Sequence, residues 1–423
     1  MKKIVAKTAP MGWNSWDCYG ASVTEEIVRR NADYMAKHLK KYGWEYIVVD
    51  IQWYEPTADG HEYHPFAPLC IDEYSRVIPA ENRFPSSAGG KGFAPLAEYV
   101  HSLGLKFGIH MMRGIPREAV AKNLKIKGTE RTSREIARFN SVCDWNPDMY
   151  GVDPEKEGAR AYYDSVFDLY ASWGVDYVKC DDICRELPHE EKELRLLSEA
   201  LRGCGRDMVL SLSPGPALPE RAELYKEVAD LWRITDDFWD KWELLYEMFS
   251  RAATWCIHSG AGNWPDADML PIGPILQDYD PANRTKFTRD EQVTMMTLWS
   301  IFRSPLMIGG EMTGFDDFTL SLVTNEKILA MHKNARHAHP VWRRTVDGTE
   351  WIVWAAESAE GGRYVAFFNA GDQAGELSLT LDELELSGAY RAEELWSGEK
   401  LTVTDRLSVS LPPHGAKAFL LSC

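Results

Sequence analysis

Tyr177-Val178-Lys179-Cys180-Asp181-Asp182 is the stretch on which the reading of this chain turns. An apolar run with the character of a buried strand stops abruptly in a lysine and two carboxylates. Further along, Leu231-Trp232-Arg233-Ile234-Thr235-Asp236-Asp237 repeats the design. A strand whose C-terminal tip carries a cation and then an acid is what a (β/α)8 barrel presents at its catalytic mouth. Two such tips facing one another supply a pair of carboxylates.

Working outward from these two runs, short apolar segments alternate with amphipathic ones for the first three hundred residues. Strands are predicted at 11–15, 46–53, 106–112, 176–181, 208–213, 231–235, 262–269 and 305–309. Helical spacing of apolar residues appears at 25–42, 93–103, 158–173, 190–202 and 290–302. Thr24 followed by two glutamates marks a helix start, and Gly43, Gly104 and Gly174 mark stops before the next strand. Eight strand–helix repeats imply a parallel sheet closed into a barrel. From about residue 340 the pattern changes to short alternating runs split by Gly, Asn and Asp, the signature of an antiparallel β-sandwich. The expected fold is therefore α/β, a (β/α)8 TIM barrel over residues 1–335 followed by a C-terminal β-sandwich over 340–423.

Composition narrows the function. The net charge of −17 provides no basic patch for phosphate, so neither nucleic acid nor an anionic membrane is an expected partner. No apolar stretch reaches the roughly 20 residues of a membrane-spanning helix. The start has two lysines but no apolar core of a signal peptide, and the eight cysteines show no CxxC pair. Both features predict a cytoplasmic protein with reduced thiols; a secreted form with its signal peptide removed stays open. The 16 Trp and 18 Tyr suit stacking on sugar rings as well as core filling. His110 is the only histidine at a strand end, no HExxH occurs, and no phosphate-binding glycine loop follows the last strands, so neither metal nor cofactor is expected. A homo-oligomer is compatible with the sequence.

Polar residues gather at the predicted strand C-termini: Asp50, His110 with Arg113, Lys179 with Asp181, Ser213, Arg233 with Asp236 and Asp237, and Asp266 with Asp268. Each buried charge costs several kcal/mol unless paired or used, so a ring of them at equivalent strand ends points to an enzyme. The loops at 54–92 and 113–153, the second with a helical stretch at 132–140, are long enough to be walls of a substrate pocket.

These residues resemble glycoside hydrolase family 27, the α-galactosidase and α-N-acetylgalactosaminidase family. The carrying motifs are Met11-Gly12-Trp13-Asn14-Ser15-Trp16, Val49-Asp50 with Trp53, Lys179-Cys180-Asp181 and Trp232-Arg233-Ile234-Thr235-Asp236-Asp237, then Asn263-Trp264-Pro265-Asp266-Ala267-Asp268-Met269-Leu270 and Ser304-Pro305-Leu306-Met307-Ile308-Gly309-Gly310. The resemblance spans nearly the whole chain in order. It implies a retaining hydrolysis of terminal α-D-galactosides by two aspartates, Asp181 as nucleophile and Asp237 as general acid/base. It further implies that Lys179, Arg233, Asp50 and Asp268 meet the sugar; Trp13 and Trp16 are either a stacking wall or core. Strand alternation predicts that Asp236 faces away from the site.

Three departures bear on the sugar. The second of the family's two adjacent strand-two acids, which hold the 4- and 6-hydroxyls, is Ile51 here. His110 stands at the family's strand-three tyrosine, and Ser213-Pro214-Gly215-Pro216-Ala217 replaces the loop that reads the 2-substituent. The family cysteine two residues past the nucleophile is Ile183; whether Cys143 and Cys184 pair instead stays open. An α-N-acetylgalactosaminide or a β-L-arabinopyranoside is the alternative substrate. A catalytically inactive carbohydrate-binding barrel would be expected to have lost Asp181, Asp237 or Lys179, and all three are present.

Overall fold

The computed structural model describes residues 2–185 and 190–422. Eight parallel strands form the first unit: β1 Met11–Asn14, β2 Tyr46–Val49, β3 Lys106–Met112, β4 Tyr177–Asp181, β5 Val209–Leu212, β6 Leu231–Arg233, β7 Trp264–Asp266 and β8 Leu306–Ile308. Their order runs β7-β6-β5-β4-β3-β2-β1-β8. A parallel bridge from Leu270, just past β7, to Ile308 closes the ring, with the Leu270 N–H donating to the Met307 carbonyl at 2.8 Å. All eight predicted strands are present, each within a few residues of its expected bounds.

The helices cover the outside of the ring because their apolar residues repeat on one face. In the first, Glu25–Tyr34, the buried stripe of Val28 and Ala32 runs on through Met35 and Leu39 in a wider turn. The chain then stops at Gly43, whose φ of +103° needs glycine. Trp242–Trp255 is a further helix that the strand–helix reading passed over, although Leu245, Met248, Phe249, Ala252 and Trp255 carry helical spacing. The stretch 132–140 is a correction. Only Ser133–Ile136 is helical, started by a Thr132–Glu135 capping box. Ala137–Val142 then turns extended and pairs with Met149–Val152, which also pairs with Ile115–Pro116. Cross-strand pairing satisfies that backbone, and it overrides local helix preference.

The C-terminal unit is two antiparallel layers. Its larger sheet contains β9 Ala335–Val346, β10 Thr349–Ser358, β11 Arg363–Asn369, β13 Tyr390–Glu394, β14 Lys400–Val403 and β16 Ala416–Ser422; the smaller pairs β12 Gly375–Thr380 with β15 Arg406–Leu411. Val353, Phe367 and Phe419 of one layer pack on Leu377, Leu379, Leu407 and Val409 of the other. Contact with the barrel is aromatic: Trp242 stacks on His414 at 3.6 Å between ring centres, and Phe249 meets Phe368 edge-on at 5.0 Å. No described helix is long and apolar enough to cross a membrane.

Close packing of β1 on β2 depends on Gly12. A methyl group there would lie 2.5 Å from the Tyr46 carbonyl oxygen and 2.6 Å from its Cβ. Gly12→Ala is expected to destabilise the protein by about 1–3 kcal/mol, as overpacking does, which calorimetric melting will measure.

Candidate active site

Side chains two apart on a strand share a face, so each inward column can be followed upward. The lower positions are apolar: Tyr46, Val48, Tyr177, Val209, Leu231, Trp264 and Met307 form one buried plug. The next positions on the same columns are Asp50, Lys179 and then Asp181, Arg233, and Asp266; Asp268 follows just past the end of β7, where its φ is +79°. Sequence periodicity thus places a floor of ionic groups on an apolar plug. Above it opens a cavity of about 360 Å³ lined by Asp50, Ile51, Lys179, Asp181, Arg233, Asp237 and Asp268.

Two cations organise these acids. Lys179 Nζ lies 2.8 Å from Asp50 Oδ2, which also accepts from Asn14 Nδ2 at 2.6 Å. Burial opposes ionisation of Asp50, yet Lys179, with help from His110, holds its carboxyl below the usual range. The ammonium is likewise held charged against burial, mainly by Asp50 and then Asp181. On the other side, Arg233 Nη2 stands 3.0 Å from both Asp237 Oδ1 and Asp268 Oδ2. Burial nonetheless raises the Asp268 carboxyl above its ordinary value, with Arg233 opposing.

Asp181 receives its hydrogen bond from His110, whose Nε2 lies 3.0 Å from Oδ2. Burial works against the charge, but that bond and the Lys179 ammonium outweigh it and hold the carboxyl well below the ordinary range. Lys179 shares a strand face with Asp181, as its spacing requires, but its hydrogen bond goes across to Asp50 and its effect on Asp181 is through charge. The Asp181 side chain is 10% exposed and that of Asp237 58%. One carboxylate is therefore desolvated and ionised, the other open to water and tethered to a guanidinium. That asymmetry suits a nucleophile and a proton carrier.

An aromatic wall rises over the carboxylates. Trp16 stacks with Tyr63 at 5.9 Å and meets His61 edge-on at 5.1 Å; Tyr63 continues to Trp145 and His61 to Trp239. His61 and Tyr63 come from the loop after β2 and Trp145 from the loop after β3, the two long segments expected to wall a pocket. The individual residues were not legible in the sequence, since loop aromatics give no periodic signal.

Of the twelve residues singled out by sequence, Asp181, Asp237, Trp16, Asp50, Ile51, Lys179, Arg233 and Asp268 line the cavity. Trp13, Trp53, His110 and Ser213 do not. Trp13 and Trp53 are fully buried core, their indole N–H groups donating to the carbonyls of Gly310 and His110 at 3.0 and 2.8 Å. His110 is enclosed behind Asp181, a positioning rather than sugar-facing place. Ser213 is tied by its N–H to the Cys180 carbonyl, and its neighbour Pro214 reaches the wall instead. Asp236 departs from the alternation argument because β6 ends at Arg233; it sits exposed at the rim, 3.0 Å from Arg185. Cys143 and Cys184 are buried free thiols.

A barrel that gathers buried carboxylates beneath an aromatic wall has the site of a glycoside hydrolase, and comparison with known proteins agrees. The family model described as alpha galactosidase A matches residues 154–334, and that of the alpha galactosidase C-terminal beta sandwich domain matches 348–421. The crystal structure of a β-L-arabinopyranosidase of glycoside hydrolase family 27 from Geobacillus stearothermophilus is 55% identical, with a TM-score of 0.96 over 99% of this chain and 97% of that one. A Bacillus halodurans structure provisionally assigned as an α-N-acetylgalactosaminidase is 51% identical, TM-score 0.87, over 98% and 97%. The α-galactosidase of Coffea arabica is 28% identical, over 98% of this chain and 94% of its own. The chain belongs to glycoside hydrolase family 27 and is a glycosidase, and a retaining mechanism is consistent with that family.

Asp266, below the cavity, gives a test of this electrostatic picture. Burial first, and then the charge of Asp268, raise its carboxyl from 3.8 to about 7. The folded protein thus holds this proton more tightly than the unfolded chain, so its contribution to stability falls as pH rises from about 4 through 7. Asp266→Asn is expected to melt several degrees above wild type near pH 8, with the gap closing near pH 4, by scanning calorimetry at both values.

Proposed function

We propose that the enzyme cleaves terminal β-L-arabinopyranosides with retention, Asp181 acting as nucleophile and Asp237 as general acid/base. An Asp181 oxygen attacks the anomeric carbon while the bond to the leaving oxygen breaks, and Asp237 gives that oxygen its proton. A covalent glycosyl-enzyme results. Asp237 then takes a proton from water, whose oxygen attacks the anomeric carbon and frees the Asp181 carboxylate. The Lys179–Asp50 and Arg233–Asp268 pairs supply charged donors and acceptors to the sugar hydroxyls, and Trp16 presents a face for the ring.

The observation that carries the choice of sugar is Ile51, an apolar side chain on the cavity wall directly after Asp50. β-L-Arabinopyranose is galactopyranose without its 6-hydroxymethyl group. Where the family resemblance puts an acid for the 6-hydroxyl, the Ile51 side chain offers no acceptor, so a hexose would lose that hydrogen bond while a pentose has no such hydroxyl to satisfy. The 55% identity to an arabinopyranosidase supports the same reading. α-D-Galactosides, ranked first from sequence, take second place; the α-galactosidase relatives favour them.

With nitrophenyl glycosides, wild type is expected to favour β-L-arabinopyranoside over α-D-galactoside by about tenfold or more in kcat/KM. Ile51→Asp is expected to shift that ratio toward the galactoside by a similar factor, and an unchanged ratio removes Ile51 from sugar choice. Asp181→Asn and Asp237→Asn are each expected to lose about 100-fold or more in kcat with folding intact by circular dichroism; near-wild-type turnover in either would exclude the two-carboxylate scheme.

A further inference from the structure

Asp17 has no role in the scheme above, although it faces the same chamber. It follows Trp16 in the single helical turn Trp16–Tyr19, it lines the cavity with Asp181 and Asp237, and it is 3% exposed. The other acids there have partners within the protein: Asp50 with Lys179 and Asn14, Asp181 with His110, Asp237 and Asp268 with Arg233. Asp17 Oδ2 is enclosed and has no hydrogen-bond partner among the described residues. Space is reserved for this carboxyl, because a Cβ on Gly309 would come within 2.0 Å of Oδ2.

A buried polar group left unpaired destabilises a fold by about 1–3 kcal/mol. Oδ2 packs against Gly309, out of a ligand's reach; Oδ1 is not enclosed with it, and through that oxygen a ligand in the cavity can complete the carboxyl. We propose that Asp17 is a substrate-contacting residue whose carboxyl meets a ring hydroxyl of the sugar bound beside Trp16, so that it takes part in selecting the glycone. Burial, and after it the charge of Asp268, raise this carboxyl well above the ordinary range; Lys179 opposes, while Asp237 and Asp50 add to the effect. Burial thus favours the neutral form of Asp17, which can donate one hydrogen bond and accept another. Asparagine has the same shape, is uncharged, and keeps both a donor and an acceptor. The inference rests on the glycosidase reading of the cavity, and it holds for a pentose or a hexose.

The test compares the full chain as wild type, Asp17→Asn and Asp17→Ala, with L-arabinose and D-galactose as calorimetric probes alongside kinetics on the better nitrophenyl substrate. Asp17→Asn is expected to keep Kd and KM within about threefold. Asp17→Ala is expected to raise both about tenfold, the size of one lost hydrogen bond to substrate, with kcat changed less and the melting temperature equal to or above wild type. Asp17→Val gives the same reading should the alanine variant not fold. Sugar affinity unchanged in the apolar variants, with a lower melting temperature, would make Asp17 structural and overturn the inference; so would an asparagine variant as weak as alanine. If wild type binds D-galactose but not L-arabinose, the arabinopyranoside reading falls while Asp17 is judged on galactose. If it binds neither sugar, both readings fall.

Discussion

Charge buried at the mouth of this barrel persists only because it is arranged in opposed pairs. Lys179 against Asp50, and Arg233 against both Asp237 and Asp268, are the three ion pairs on which the site depends. Lys179–Asp50 and Arg233–Asp268 join the tips of different strands, whereas Asp237 follows Arg233 on the same one. Where burial outweighs the charge nearby, the carboxyl is pushed up, as at Asp266, Asp17 and even Asp268 beside Arg233. Which way each acid is pushed is set by the balance between its burial and the cation or imidazole beside it.

Asp181 and Asp237 differ in exposure as well as in partner. Asp181 is enclosed, bonded to His110 and ionised, while Asp237 reaches solvent on the far end of Arg233. In a glycosidase the first condition suits attack on an anomeric carbon and the second suits exchange of a proton with a leaving group or water. The aromatic wall then confines a ring above the acids, and it is built from Trp16 of the barrel together with loop residues His61, Tyr63, Trp145 and Trp239. Strands carry the chemistry and loops shape the opening.

Much of this was legible in the chain. The eight strands, the parallel order and the β-rich C-terminal unit follow from hydrophobic periodicity, which is a local property of sequence. So do the columns that end in Asp50, Lys179–Asp181 and Arg233, because side chains two apart on a strand must share a face. Asp236 escapes the alternation because β6 ends at Arg233, which leaves Asp236 exposed at the rim beside Arg185. The helix expected over 132–140 failed for a related reason, its second half being recruited as a strand by pairing with Met149–Val152.

The sequence by itself determined the class of fold, the strand columns that carry Asp50, Lys179, Asp181 and Arg233, and the apolar Ile51 directly after Asp50. It could not tell Trp13 from Trp16, nor place His110 behind Asp181, nor draw His61, Tyr63, Trp145 and Asp17 into one chamber. Those outcomes depend on which segments distant in sequence come together when the barrel closes. Local pattern says which way a side chain leaves its own strand; only packing against other strands and loops decides whether it meets core, a partner or open space.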